Sequence, residues 1–166
     1  SLPMNNVPAA IEEMDRAIGE LGACGIQLFT NVNGRALDDP EFWPVFERAT
    51  SVHDVPVWMH PARGANFPDY LGEKKSKFEI WWTFGWPYET SAAMTRMVFS
   101  GFFDRLPNLR LITHHMGAMI PFFDGRLGPG LDQFGSRTSD EDYEGLLKQM
   151  PRRPIDYFRM FYADTA

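Results

Sequence analysis

The sequence holds one cysteine, four histidines and no run of basic residues among its 166 positions. Each scarcity excludes something. The lone Cys24 rules out an intrachain disulfide and a cysteine-rich zinc site, fits a reducing compartment such as the cytoplasm, and reads as a small core residue. With 16 Lys and Arg against 22 Asp and Glu the net charge is -6, so the basic footprint of a nucleic-acid partner is missing. No apolar stretch approaches the ~20 residues needed to cross a bilayer, and no basic segment followed by an apolar one opens the chain. Neither Gly-x-Gly-x-x-Gly after a strand nor Gly-x-x-x-x-Gly-Lys-Ser/Thr occurs, which leaves nucleotide binding without support. Disorder is excluded by what is plentiful: 44% hydrophobic residues are enough for one domain with a real core.

The apolar residues that are present alternate between two periods. Ile11, Met14, Ile18 and Leu21 are spaced for one face of a helix from Pro8 to Leu21. Gly25 to Thr30 reads as a short buried strand, followed by the turn-forming Asn31-Val-Asn-Gly34. Asp39 is a good N-cap with Pro40 in the first helical position, and Phe42, Val45, Phe46 and Ala49 form the stripe behind it. Val55 to Met59 is apolar on both faces, the pattern of a parallel sheet covered by helices. Residues 61–77 read as a surface loop able to lie over a site. A longer helix starts around Trp86-Pro87, carries Met94, Met97, Val98 and Phe102 on one face and stops near Leu106-Pro107. Arg110 to Thr113 is the next strand. The helical region after Pro121 is expected to break at Gly128-Pro-Gly130 and at a polar segment over 135–140, with Tyr143 to Met150 helical again and Arg159 to Ala163 the last strand.

Strand candidates therefore fall near Leu2, Ile26, Val57, Leu111 and Phe161, separated by helices, in an α/β arrangement without a linker: one domain over 1–166. An open doubly wound sheet and an incomplete eightfold barrel both fit this alternation. Both chain ends read as cuts inside a larger fold, since each falls in a strand-like run.

Two histidines close apolar runs: His60 ends Val55-Pro-Val-Trp-Met-His60 and His115 ends Leu109-Arg-Leu-Ile-Thr-His-His115. Imidazoles at the carboxyl ends of parallel strands sit where α/β enzymes keep metal ligands and proton carriers, although a single such His is more often a hydrogen-bonded structural residue. No His-x-His or cysteine pair supplies the further ligands of a catalytic zinc site. Strand alternation puts His114 and His115 on opposite sides, so only one of them faces the site. Asp164 is a candidate ligand, proton carrier or substrate contact, and equally a helix N-cap. Arg63 can bind a carboxylate substrate or simply be solvated. Trp81, Trp82 and Trp86 wall a pocket or pack loop on helix. Glu89 is explained by the helix dipole, as a carboxylate in the first turn, and His53 by the surface.

Val57-Trp-Met-His60-Pro61, Trp86-Pro-Tyr-Glu-Thr90, Ser100-Gly-Phe-Phe-Asp-Arg-Leu-Pro-Asn-Leu109, His115-Met-Gly117 and Ile120-Pro-Phe-Phe-Asp-Gly-Arg126 together closely resemble the amidohydrolase-related metal-dependent family, which includes aminocarboxymuconate-semialdehyde and γ-resorcylate decarboxylases. The resemblance implies a (β/α)8 barrel, of which this chain holds about the third to the seventh strands. It implies one divalent metal ion, zinc or manganese, with His60 as a ligand, His115 as the catalytic or second metal-site residue, and His114 as its outward neighbour. Arg63, Trp86 and Asp164 are then the substrate-binding candidates. The family's first-strand His-x-His or Glu-x-His ligands and its eighth-strand Asp are absent from the sequence, and Asp164, on the seventh strand, does not take the latter role. Three readings follow: a decarboxylase of a small aromatic or unsaturated carboxylic acid, a hydrolase of a lactone, ester or C–C bond, or a fragment without catalysis of its own. The resemblance also implies a small carboxylate as partner and allows a homodimer.

Overall fold

The computed structural model describes residues 1–138 and 140–165; Ser139, in the expected polar segment, and Ala166, at the end of the last strand-like run, lie outside them. The chain begins with helix α1 (Val7–Gly19), capped by the Asn6 side chain on the Ala9 amide at 3.2 Å. Strand β1 (Ile26–Phe29) follows, then a hairpin of β2 (Asn31–Val32) and β3 (Arg35–Ala36). Its turn is Asn33-Gly34, with φ of 52° and 82°, the left-handed pair that a two-residue hairpin turn requires. Asp39 caps a short 3₁₀ turn over Pro40–Phe42 that runs into α2 (Trp43–Glu47) and a wider π-type turn over Arg48–Val52. Phe42, Val45, Phe46 and Ala49 are all buried, as their spacing requires.

Strand β4 (Val57–His60) leads through a long loop to α3 (Ile80–Thr83) and α4 (Gly85–Phe99). Gly101, at φ 81°, breaks the expected long helix and starts α5 (Phe102–Arg105). After β5 (Leu111–Thr113) come α6 (Asp124–Leu131), α7 (Tyr143–Gln149), α8 (Pro154–Phe158) and β6 (Tyr162–Ala163).

Strands β1, β4, β5 and β6 form one parallel sheet in that spatial order, with Ile26 beside Val57, Val57 beside Leu111 and Ile112 beside Tyr162. The order never reverses along the chain. A doubly wound sheet reverses at its switch point, whereas successive neighbours all advancing in one direction are the winding of a β/α barrel. Met59 and Leu28 are buried on the sheet, and Met94, Met97, Val98 and Phe102 cover it from the helix side. All four strands point the same way, so Phe29, His60, Thr113 and Ala163 end on one rim.

Several expectations give way to local chemistry. Leu2 is not in a strand: Met4 and Asn6 donate to the carbonyls of Leu2 and Pro3, and the chain turns directly into the cap of α1. That helix ends at Gly19 and buries Val7, Ala10 and Met14, so Leu21 lies beyond it and is exposed. Cys24 is exposed in the turn before β1 rather than in the core. Gly128-Pro-Gly130 lies inside α6, and the Asp132 amide still reaches the Gly128 carbonyl at 3.2 Å past the proline. His53 is not a free surface residue: its Nε2 lies 2.7 Å from Asp15, which also takes two bonds from Arg48.

Candidate active site

His60 stands on the rim because β4 delivers it there, and Pro61 ends the ladder by lacking an amide hydrogen. Its Nδ1 lies 2.7 Å from the Pro61 carbonyl oxygen. A carbonyl only accepts, so Nδ1 carries the proton and Nε2 keeps its lone pair for the site. This is the arrangement found in metal-binding imidazoles, where the outer nitrogen donates to a carbonyl or carboxylate.

The strand beside it is less regular. The His114 amide continues the ladder to the Met59 carbonyl at 3.1 Å, and there the extended backbone stops. His115, Met116, Gly117 and Ala118 have φ of 63°, 57°, 80° and 60°, one after another, and the Ala118 amide closes the turn on the His115 carbonyl at 3.0 Å. Left-handed backbone costs a residue with a Cβ roughly 1–2 kcal/mol, and such strain concentrates at functional sites. The turn also cancels strand alternation. The His114 and His115 rings lie 5.1 and 5.3 Å from the His60 ring, so His114 is not the outward neighbour. Gly117 also suits the close packing here: a Cβ would stand 3.2 Å from the Pro121 ring, tighter than an ordinary contact.

Asp164, one residue past β6, takes His114 Nδ1 at 2.6 Å and the Met116 amide at 3.3 Å. It thereby fixes the His114 tautomer and tethers the left-handed turn. The Nε2 atoms of His114 and His115 are both buried without a hydrogen-bond partner. A buried nitrogen of this kind calls for a partner, which an ordered water, an ion or a ligand can supply. Burial, and then the neighbouring charge of His60, hold the His115 pKa below the ordinary histidine value.

Trp86 ties the cluster together. Its ring stacks on His115 at 5.5 Å with 20° between planes and meets His60 edge-on at 5.2 Å, while its Nε1 donates to the Arg63 carbonyl at 2.9 Å. Trp81 packs edge-on against Trp86 at 5.6 Å. A cleft of about 750 Å³ opens beside His60, walled by Phe29, Asn31, Arg63, Phe67 and Trp86. The Arg63 guanidinium lies over Phe67 at 5.5 Å, and its buried Nε has no partner. The loop over the cleft is pinned where Ser76 donates to Asp69 at 2.9 Å and accepts from the Trp81 amide at 3.0 Å.

Thus His60, His114, His115, Trp86 and Asp164 come together, with Arg63 on the cleft wall. One participant escaped sequence reasoning. Glu89 is five residues into α4, beyond its first turn, and its carboxylate accepts from Asn31 Nδ2 at 2.6 Å and from the Ala62 and Arg63 amides at 3.2 and 2.5 Å. These long-range partners, not the helix dipole, account for it.

A parallel β/α sheet of barrel winding is the scaffold of enzymes whose sites lie at the carboxyl rim, and on that rim this chain gathers its imidazoles. The amidohydrolase family matches residues 1–166, and the chain belongs to that family. It is 36% identical over 166 residues to the 2-amino-3-carboxymuconate-6-semialdehyde decarboxylase of Dictyostelium discoideum, covering 99% of this chain and 42% of that protein. It is 28% identical over 183 residues to the gamma-resorcylate decarboxylase of a Polaromonas species, covering 100% of this chain and 50% of the relative. The crystal structure of a dihydroxybenzoic acid decarboxylase from Polaromonas, with bound manganese and the inhibitor 2-nitroresorcinol, matches at a TM-score of 0.72 and 27% identity, over 98% of this chain and 48% of that one. The chain therefore spans about half the length of these relatives.

The donors present fit part of a divalent metal site. His60 offers a lone pair on Nε2, and His114, whose ring lies 5.1 Å from that of His60, has a buried Nε2 without a partner and its other nitrogen on a carboxylate, imidazole donors of the kind that a divalent zinc site uses. Among the described residues no group of three or more His, Cys, Asp and Glu is arranged to hold a metal ion. No described helix is long and apolar enough to cross a membrane.

Proposed function

We propose that this chain carries the central β/α units of a metal-dependent decarboxylase acting on a small aromatic or unsaturated carboxylic acid. The observation that carries this reading is the His60 imidazole, held with Nε2 free beside two buried, unpartnered His nitrogens on the neighbouring strand end. Homology to decarboxylases of such acids supports it.

In this reading His60 is a metal ligand, and the further ligands stand on the family's first and eighth strands. The metal, when bound, supplies Lewis-acid polarisation of a substrate carboxylate or adjacent hydroxyl. The chain's own residues do the rest. Arg63 on the cleft wall binds the carboxylate end of the substrate, and the Trp86 face flanks the ring. As the bond to the carboxylate breaks and its electron pair stays on the substrate carbon, His115, whose pKa burial holds below the ordinary histidine value, would pass to that carbon a proton that Nε2 has taken up from solvent or from the substrate. Asp164 serves the substrate end of the site through His114, which it orients. Zinc or manganese as the single divalent metal, a cytoplasmic setting and a homodimer belong to the same proposal.

The test is metal content and product analysis on the intact protein. Stoichiometric zinc or manganese lost on His60→Ala, with carbon dioxide released from a panel of hydroxybenzoates and muconate-type acids, is the expected result. An acid product without carbon dioxide selects the hydrolase. Neither metal nor turnover leaves the chain as a non-catalytic scaffold, the reading favoured by the incomplete ligand set.

A further inference from the structure

The Glu89 carboxylate grips the backbone just past the site histidine. Its Oε2 accepts from the Ala62 and Arg63 amides, and its Oε1 from Asn31 Nδ2. The Ala62 N–H is shared with the buried Thr30, whose Oγ1 lies 3.0 Å away at the end of β1. That N–H and the Pro61 carbonyl belong to one planar peptide unit and point in opposite directions. Holding the N–H therefore holds the carbonyl, and the carbonyl is what receives His60 Nδ1. A carboxylate on the N–H also polarises the same peptide and makes its oxygen a better acceptor. A second link runs from the clamped Arg63 residue, whose carbonyl receives Trp86 Nε1. Both rings that frame the cleft are thus referred to one side chain.

We propose that Glu89 is a positioning residue that, by fixing the Pro61–Ala62 peptide plane, holds His60 as the Nδ1–H tautomer with its Nε2 lone pair turned into the site. This rests on the assignment of His60 to the site made above. Glu89 touches neither the cleft ligand nor a reacting atom in this scheme. It acts through two peptide groups.

The experiment reads the His60 ring nitrogens directly, by long-range proton–nitrogen correlation on intact protein labelled at histidine, alongside amide exchange at Ala62 and Arg63. Wild type should show one His60 tautomer, protonated at Nδ1. Glu89→Ala should give a mixture of tautomers and speed exchange at both amides by about tenfold or more, with Ala93 in the middle of α4 unchanged. Asn31→Asp sets two carboxylates against each other and should disturb His60 in the same way. Combining Asn31→Asp with Glu89→Gln exchanges donor and acceptor between the two side chains and should restore the single tautomer. Where Glu89→Ala does not fold, the Asn31→Asp variant and the double variant carry the test. A His60 pattern that stays fixed in Glu89→Ala or Asn31→Asp, or that the double variant fails to restore, overturns the proposal. The measurement needs no turnover. A protein that releases no carbon dioxide can still show the clamp, and a working decarboxylase whose His60 ignores Glu89 refutes only the clamp.

Discussion

Tyr157→Phe isolates one hydroxyl in the support of the site. The Tyr157 ring is completely buried, and its hydroxyl lies 2.8 Å from each carboxylate oxygen of Asp104, joining α8 to α5. Phenylalanine keeps the ring and its packing and deletes only the oxygen. A hydrogen bond to a charged acceptor contributes about 1.5–3 kcal/mol. Asp104 is exposed and regains water when the hydroxyl is gone, so the lower end applies, about 1.5–2 kcal/mol. For a chain of this size that is a fall in Tm of roughly 3–8 °C. The pH dependence supplies an independent check. Burial first, and the Asp104 bond second, raise the Tyr157 pKa from 10.0 to about 12. The neutral hydroxyl is therefore fully stabilising below pH 10, and the unfolded state ionises first as pH rises toward 12, which removes stability from wild type alone. Urea unfolding of both proteins at pH 7, 9 and 11 should show a constant gap up to about pH 9 that narrows by pH 11. A gap under about 0.5 kcal/mol at pH 7, or one that does not narrow, would refute the reasoning. Because α8 leads straight into β6, the variant should also loosen Asp164 and its hold on His114.

Asp15→Asn should cost up to about 1 kcal/mol at pH 7, the scale of a partly exposed ion-pair network, because Asp15 takes Arg48 and His53 together. Arg48, then His53, lower the Asp15 pKa from 3.8 to about 2, so this contribution is present above pH 3.8 and disappears as pH falls toward 2; acid titrations of the two proteins should converge there. Gly25→Ala places a Cβ 2.4 Å from the Trp58 ring and 2.7 Å from the Pro56 carbonyl, and thermal melts should show a loss of about 1–3 kcal/mol. Gly117→Ala puts a Cβ on a residue at φ 80° and should cost about 1–2 kcal/mol while displacing His115, so under the proposed reading turnover of the intact protein should fall more than the folded fraction does. Trp86→Phe keeps a ring over His115 but loses the bond to the Arg63 carbonyl, worth about 1 kcal/mol, and under the decarboxylase reading proposed above kcat/KM for carbon dioxide release in the intact protein should drop about fivefold to tenfold.

What the sequence disclosed divides by how far the deciding interaction reaches. Asp39-Pro40 and the stripe of Phe42, Val45, Phe46 and Ala49 were legible because a cap and its helix are settled within ten residues. The doubly apolar Val57–Met59 run announced a covered parallel strand for the same reason. Leu2 was misread because an apolar residue beside proline looks extended until the Asn6 cap is seen to close the turn. The site residues are the other case. Periodicity applied to His114 and His115 assumed that the strand continued, yet the backbone leaves the extended region at His115 because of contacts remote in sequence. Asp164 holds the Met116 amide from 48 residues away, and a Cβ on Gly117 would stand 3.5 Å from that of Ala163. Glu89 was explained by its own helix because its partners, 58 and 26 to 27 residues distant, were invisible to any local rule.

The left-handed turn gives that division a functional meaning. His115, Met116 and Ala118 each carry a Cβ at positive φ, so the turn costs several kcal/mol by itself, at roughly 1–2 per residue. Met116 is largely exposed, and packing of its side chain cannot offset that cost. What the turn achieves is to bring two imidazoles from adjacent positions onto the same side as His60, which an extended strand forbids. A sequence selected for stability alone would place glycine or asparagine at those positions or let the strand run on. Strain held in place by Asp164 gathers His60, His114 and His115 on one rim, and strain of this kind concentrates at functional sites.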